Sequence, residues 1–97
     1  MYLVEYHEDI EKDLKELGHS TAILVLKKIN KIAENPDIGK ELGNKANTKL
    51  AGLKKVYVDN KRIRIVYKII DKKIKIFIVA IGKREDMEVY KKASKRC

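Results

Sequence analysis

The apolar residues change period along the chain, and each change marks an element. Residues 2–6 form a short aromatic and aliphatic stretch that predicts an opening strand. From Asp9 the spacing becomes helical: Ile10, Leu14 and Leu17 fall at i, i+4 and i+7, with Glu8, Glu11, Lys12, Asp13 and Lys15 outside that stripe. Gly18 ends this helix. Ser20 or Thr21 can cap a second one carrying Ile23, Leu24, Leu26, Ile29, Ile32 and Ala33, which Asn35-Pro36 terminates. The two helices make a hairpin. Gly39, Gly43, Asn44 and Asn47 then break every pattern, so residues 37–52 read as a connection with about one helical turn, anchored by Ile38, Leu42 and Leu50.

Three strand-like segments follow, at residues 55–58, 62–70 and 73–81, separated by Asp59-Asn60-Lys61 and Asp71-Lys72. Links this short suit hairpins, and an antiparallel meander is the economical arrangement. In the middle strand Ile63, Ile65, Tyr67 and Ile69 point to one face, expected to pack on the helical hairpin. Arg62, Arg64, Val66 and Lys68 point to the other and make a basic face. The last strand contains the unbroken apolar run from Ile76 through Phe77, Ile78, Val79 and Ala80 to Ile81, the mark of a strand buried on both faces. Residues 86–96 predict a terminal helix, with Asp86 near its positive end and Lys91, Lys92, Lys95 and Arg96 near its negative end. The fold class is therefore α+β: an N-terminal strand and helical hairpin packed on an antiparallel sheet, with a C-terminal helix. At 97 residues the chain reads as one domain, 1–97.

Charge is segregated along the chain. Residues 1–48 hold 7 lysines and arginines against 9 acids, net −2, whereas residues 49–97 hold 16 against 5, net +11. The half that reads as sheet is thus strongly basic, which points to a polyanionic partner, nucleic acid first. The lone cysteine, Cys97, permits no internal disulfide and no cysteine-based zinc site. The N-terminus lacks a basic region followed by a long apolar one, and no apolar stretch reaches membrane-spanning length, so a cytoplasmic chain with no membrane partner is expected.

Candidate chemistry gathers where the last strand ends. Gly82-Lys83-Arg84-Glu85, followed by Val89-Tyr90, puts two cations and a phenol close to the end of the buried run. No metal-ligand cluster, Gly-rich phosphate loop or serine or cysteine nucleophile motif is visible, and no metal or cofactor is expected. The acidic run Glu8, Asp9, Glu11, Asp13 and Glu16 reads as the solvated face of a mixed-charge helix. His7 and His19 lie in the acidic half and read as surface or capping residues, not as a ribonuclease pair.

These same residues carry a family resemblance. The run Arg64-Ile65-Val66-Tyr67-Lys68-Ile69-Ile70-Asp71, the strand ending in Ile78-Val79-Ala80-Ile81-Gly82-Lys83-Arg84-Glu85, and Val89-Tyr90 resemble the C-terminal half of RelE-type toxins of toxin–antitoxin systems. The likeness extends more loosely over the whole chain, including Lys49-Leu50-Ala51-Gly52. It implies a small α+β fold similar to microbial ribonucleases, cleavage of messenger RNA in the ribosomal decoding site, and inhibition by a cognate antitoxin. By position, Arg64 matches the family's mid-strand arginine, Arg84 the arginine after the last strand, and Tyr90 the tyrosine of the terminal helix. Typical members also carry two lysines, one residue apart, on the preceding strand. Lys55 falls on the first of these, but Tyr57 stands where the second belongs, and Lys54 and Lys61 compete for the missing role.

Cleaving RNA without a metal takes a base for the 2′-hydroxyl, cations for the charged phosphorane and an acid for the departing 5′-oxygen. Tyr90, its phenol acidified by neighbouring cations, can act as base; alternatively it packs the helix on the sheet. Arg64 and Arg84 suit bidentate contacts to phosphate oxygens. Lys55 is the first choice of acid. Lys49, Lys54, Lys61, Arg62 and Lys83 are the candidate RNA contacts, and Lys27, Lys28, Lys31, Lys91, Lys92 and Lys95 can meet ribosomal RNA. Two other functions fit the same chain: a ParE-like toxin that binds DNA gyrase, and a noncatalytic RNA-binding domain.

Overall fold

The computed structural model describes residues 1–43, 50–83 and 88–96. Strand β1 (Leu3–Tyr6) leads into helices α1 (Ile10–Leu17) and α2 (His19–Glu34), a 3-10 turn (Pro36–Ile38) and a two-residue strand β2 (Lys40–Glu41). Strands β3 (Lys54–Val58), β4 (Ile63–Asp71) and β5 (Lys75–Lys83) precede helix α3 (Glu88–Arg96). The described strands form one sheet in the order β1-β5-β4-β3-β2. The meander is antiparallel as expected, but β1 pairs with β5 in parallel, so the sheet is mixed. The long excursion through α1 and α2 brings the chain back to the far edge, which frees β1 to run alongside β5.

The alternation in β4 decides which side of the sheet each residue joins. Ile63, Ile65 and Tyr67, with Ile69 at the margin, pack under the helical hairpin against Ile10, Val25, Ile29, Ile32 and Ala33. On α2 the buried stripe is Val25, Ile29, Ile32 and Ala33, and Ile23, Leu24 and Leu26 remain exposed. The second face is not the open basic surface that the pattern suggested. Helix α3 covers its centre with Val89, Tyr90 and Ala93, which pack with Val66, Val79, Ala80, Leu42, Leu50 and Leu53.

The unbroken run in β5 has two causes. Both faces are covered, and a register shift places Val66 opposite Ala80 and Tyr67 opposite Ile78. This leaves Val79 without a partner of its own, so that Val79 and Ala80 both turn toward α3. Ile76, Ile78 and then Ile81 face the hairpin.

Asp13 also departs from its expected place. Instead of lying on a solvated helix face it is 1% exposed, on the sheet side of α1 between Ile10 and Leu14. Its charge is met by groups nearly the whole chain away: Arg96 donates Nη1 to Oδ2 at 2.7 Å and Nη2 to Oδ1 at 3.1 Å, and the Ile81 backbone N–H donates to Oδ2 at 3.0 Å. Lys92 adds an ion pair at 3.4 Å. Lys92 and Arg96 are therefore engaged within the fold.

Candidate active site

Strand register builds the site. Tyr57 on β3 pairs with Arg64 on β4, which pairs with Gly82 on β5. Two pairs along, Lys40 pairs with Lys55 and Lys55 with Val66. Directly paired residues share a face, so Lys40, Lys55, Tyr57 and Arg64 lie on the side of the sheet that carries α3. Gly82 lets the start of α3 approach: a Cβ there would stand 3.0 Å from the Val89 Cβ, tighter than side chains normally tolerate. That approach brings Tyr90 over the sheet.

Arg64 is held between two phenol rings. Its guanidinium lies 4.6 Å from the Tyr90 ring centroid and 5.8 Å from that of Tyr57. Tyr90 is 3% exposed. The Arg64 Nε and Nη1 atoms are buried and meet no hydrogen-bond acceptor among the described residues. Buried cationic donors without acceptors are costly, and an anionic oxygen is the group that would satisfy them.

Tyr57 lies on the outer side of this arginine. Its hydroxyl accepts a hydrogen bond from Lys55 Nζ at 2.9 Å, and the same ammonium lies 4.9 Å from the Tyr57 ring centroid. The hydrogen bond from Lys55 is the main cause that brings the phenol down to about 8; partial burial opposes it, and the charges of Lys55 and Arg64 add to it. Tyr67 has the opposite environment, where burial pushes the phenol up to about 12, partly offset by the Gly39 N–H. Beside Tyr57 a groove runs along the edge of the sheet, lined by Lys28, Lys40, Lys55, Lys61 and Ile38.

The residues singled out from sequence fall into three groups. Lys55, Arg64 and Tyr90 come together, and Lys61 lines the adjoining groove. Lys54 pairs with Tyr67 and Lys83 with Ile63, so both point to the hairpin side, and Arg62 is exposed in the β3–β4 link. Arg84 and Lys49 lie outside the described residues. Sequence reasoning passed over Lys40 and treated Tyr57 only as a departure from a pattern. The signal for Tyr57 was present, since residues 55 and 57 of one strand share a face. Among the described residues no group of three or more His, Cys, Asp or Glu side chains could hold a metal ion, and no helix is long and apolar enough to cross a membrane.

A small α+β domain with a basic, tyrosine-framed arginine on its sheet defines a class. The chain belongs to the RelE/ParE family of toxins: the family model described as the ParE toxin of type II toxin–antitoxin systems matches residues 4–88. It is 34% identical to the mRNA interferase toxin RelE of Escherichia coli K12, over 98% of this chain and 96% of the relative. Among solved structures, a double arginine-to-alanine mutant of E. coli RelE in the free state superposes with a TM-score of 0.73 at 28% identity, covering 98% of this chain and 96% of that one. The toxin in the intact E. coli RelBE toxin–antitoxin complex gives a TM-score of 0.67 at 26% identity, covering 89% of this chain and 100% of that one.

Proposed function

We propose that this chain is the toxin of a type II toxin–antitoxin pair, a single-domain endoribonuclease that cuts messenger RNA on the ribosome and is silenced by its cognate antitoxin. The observation that carries this reading is Arg64, whose buried Nε and Nη1 have no acceptor among the described residues, on a face it shares with Lys55 and two phenols. Full-length similarity to a protein named mRNA interferase supports it.

The chemistry follows from the residue types. Attack of a 2′-hydroxyl oxygen on the adjacent phosphorus breaks the bond to the 5′-oxygen and leaves a 2′,3′-cyclic phosphate and a 5′-hydroxyl. The Arg64 fork, together with Arg84, neutralises the phosphorane oxygens. Lys55 supplies the proton that the 5′-oxygen takes as it departs, and a tyrosine on this face takes the proton from the 2′-hydroxyl. Tyr90, buried beneath Arg64, holds that guanidinium in place. A ribosome that presents messenger RNA in fixed geometry supplies the orientation that free RNA lacks. Lys28, Lys40 and Lys61 along the groove bind the backbone without reading sequence. The site of action is the cytoplasm, where messenger RNA is translated.

The match to a family model named for ParE favours one other reading, a toxin that binds DNA gyrase. Primer extension on messenger RNA from cells expressing the chain separates the two. Codon-phased cuts that disappear with Arg84→Ala support ribosome-dependent cleavage. A DNA-damage response with intact messages overturns it in favour of gyrase binding, and intact messages with neither response leave RNA binding alone.

A further inference from the structure

The phenol of Tyr57 has a position that the resemblance does not explain. It occupies the outer side of Arg64, one register pair from the guanidinium, while Tyr90 occupies the inner side and is buried. Tyr57 is partly exposed and borders the lysine-lined groove along the sheet edge. Of the two rings that hold Arg64, Tyr57 is therefore the one whose hydroxyl opens toward the surface where RNA would lie.

Among the described residues, the charged groups named around that hydroxyl are cations. Lys55 comes from its own strand and donates to it at 2.9 Å; Arg64 comes from β4; Lys40 from β2 sits beside Lys55; Lys61 and Lys28 line the adjoining groove; and Tyr90 stands beyond Arg64 on α3. An ammonium that donates to a phenol oxygen favours the phenolate over the phenol.

From this arrangement we infer that Tyr57 is the general base of the cleavage reaction, its phenolate held by Lys55 in the position where typical members of the family carry a second lysine. The inference rests on the ribonuclease reading above and deepens it. The Tyr57 oxygen takes the proton of the 2′-hydroxyl as the 2′-oxygen bonds to phosphorus; the bond to the 5′-oxygen breaks, and the Lys55 ammonium protonates that oxygen. The phenol and amine that remain return to phenolate and ammonium by proton exchange between themselves or through solvent, so no other reactant is required. With the phenol at about 8, about a tenth of it is ionised at pH 7, against about a thousandth for an ordinary tyrosine.

The test is single-turnover cleavage of messenger RNA on programmed ribosomes across pH, for the native chain and two variants. In the native chain the rate should rise with pH through a midpoint near 8 and level off above it. Tyr57→Phe keeps the ring beside Arg64 and should cut at least about tenfold more slowly, without that rise. Replacing Tyr57 with 3-fluorotyrosine, a more acidic phenol, should move the rise to lower pH, a change that a purely structural ring would not produce. In a spectrophotometric titration without ribosomes, phenolate absorbance developing near pH 8 should be present in the native chain and missing from Tyr57→Phe. Native-rate cleavage by folded Tyr57→Phe with an unchanged pH profile overturns the role of Tyr57 and leaves the ribonuclease reading standing. A native chain that fails to cut on programmed ribosomes overturns the ribonuclease reading itself.

Discussion

Arg96 grips Asp13 with both ends of its guanidinium, at 2.7 and 3.1 Å, and so moors the last turn of α3 to α1. The same arginine donates to the Val79 carbonyl at 3.0 Å, at the irregular point of β5. The distant α1 is therefore fastened to both β5 and α3 at one carboxylate. Because α3 carries Tyr90, this fastening lies upstream of the geometry around Arg64.

Burial alone would raise the Asp13 carboxyl, but hydrogen bonds from Arg96 and Ile81 and the charges of Arg96 and Lys92 hold it below its ordinary value. A carboxyl lowered by folding contributes stability above its unfolded pKa of about 4 and loses it as pH falls through the lower folded value. Asp13→Asn should cost about 3 kcal/mol at pH 7, the scale of a buried ion pair with one partner removed. Thermal melts should show that the deficit shrinks below pH 4. A constant deficit from pH 7 to pH 2 would show that the carboxylate's charge is not what fastens the helix.

Tyr90 contributes a ring rather than a hydroxyl if its work is to hold Arg64 at 4.6 Å. Tyr90→Phe preserves the ring face and should keep cleavage within about threefold of native. Tyr90→Leu fills similar space without a π face and should lose at least about tenfold, with the domain still folded by circular dichroism. The reverse pattern, with Phe as damaging as Leu, would return the role of base to Tyr90.

Arg64→Lys tests whether charge alone suffices at the centre of the site. The ammonium lacks the planar fork that fits two phosphate oxygens and stacks on the flanking rings. Cleavage should fall at least about tenfold in kcat with little change in ribosome binding, because the surrounding lysines still supply nonspecific attraction. An equal loss in binding would instead make Arg64 a docking residue.

What could be read from the sequence was whatever local periodicity controls. The alternation in β4 assigned Ile63, Ile65 and Tyr67 to the hairpin face, and the i, i+4, i+7 stripe located α1. Three features required contacts between distant residues. The parallel pairing of β1 with β5 depends on the path of the intervening helices, which hydrophobic pattern does not encode. The buried Asp13 looked like surface because its arginine stands 83 residues later. The cover that α3 lays over Val66 turned a supposed basic face into a small core with Arg64 at its margin. That Lys55 and Arg64 share one face of the sheet was legible from family position and strand alternation together. Tyr57 was obscured because its significance lies in the cations around it.

The β3–β4 link stores strain beside that site. Asp59, Asn60 and Lys61 all have positive φ, at 56, 53 and 67°, and lysine adopts that conformation less readily than asparagine or aspartate. Lys61 also lines the groove next to Tyr57. Lys61→Gly should therefore act in opposite directions on stability and function. Relief of the left-handed strain outweighs the added freedom of the unfolded chain and stabilises by about 0.5–1 kcal/mol, which raises the melting temperature by about 4 °C. Loss of the cation beside the RNA path should slow cleavage severalfold at subsaturating ribosome concentration, and added salt should narrow the gap to native. A variant that melts higher and cuts at the native rate under these conditions would remove Lys61 from the RNA-binding surface, whereas one that melts lower would show that the lysine side chain compensates for its own backbone strain.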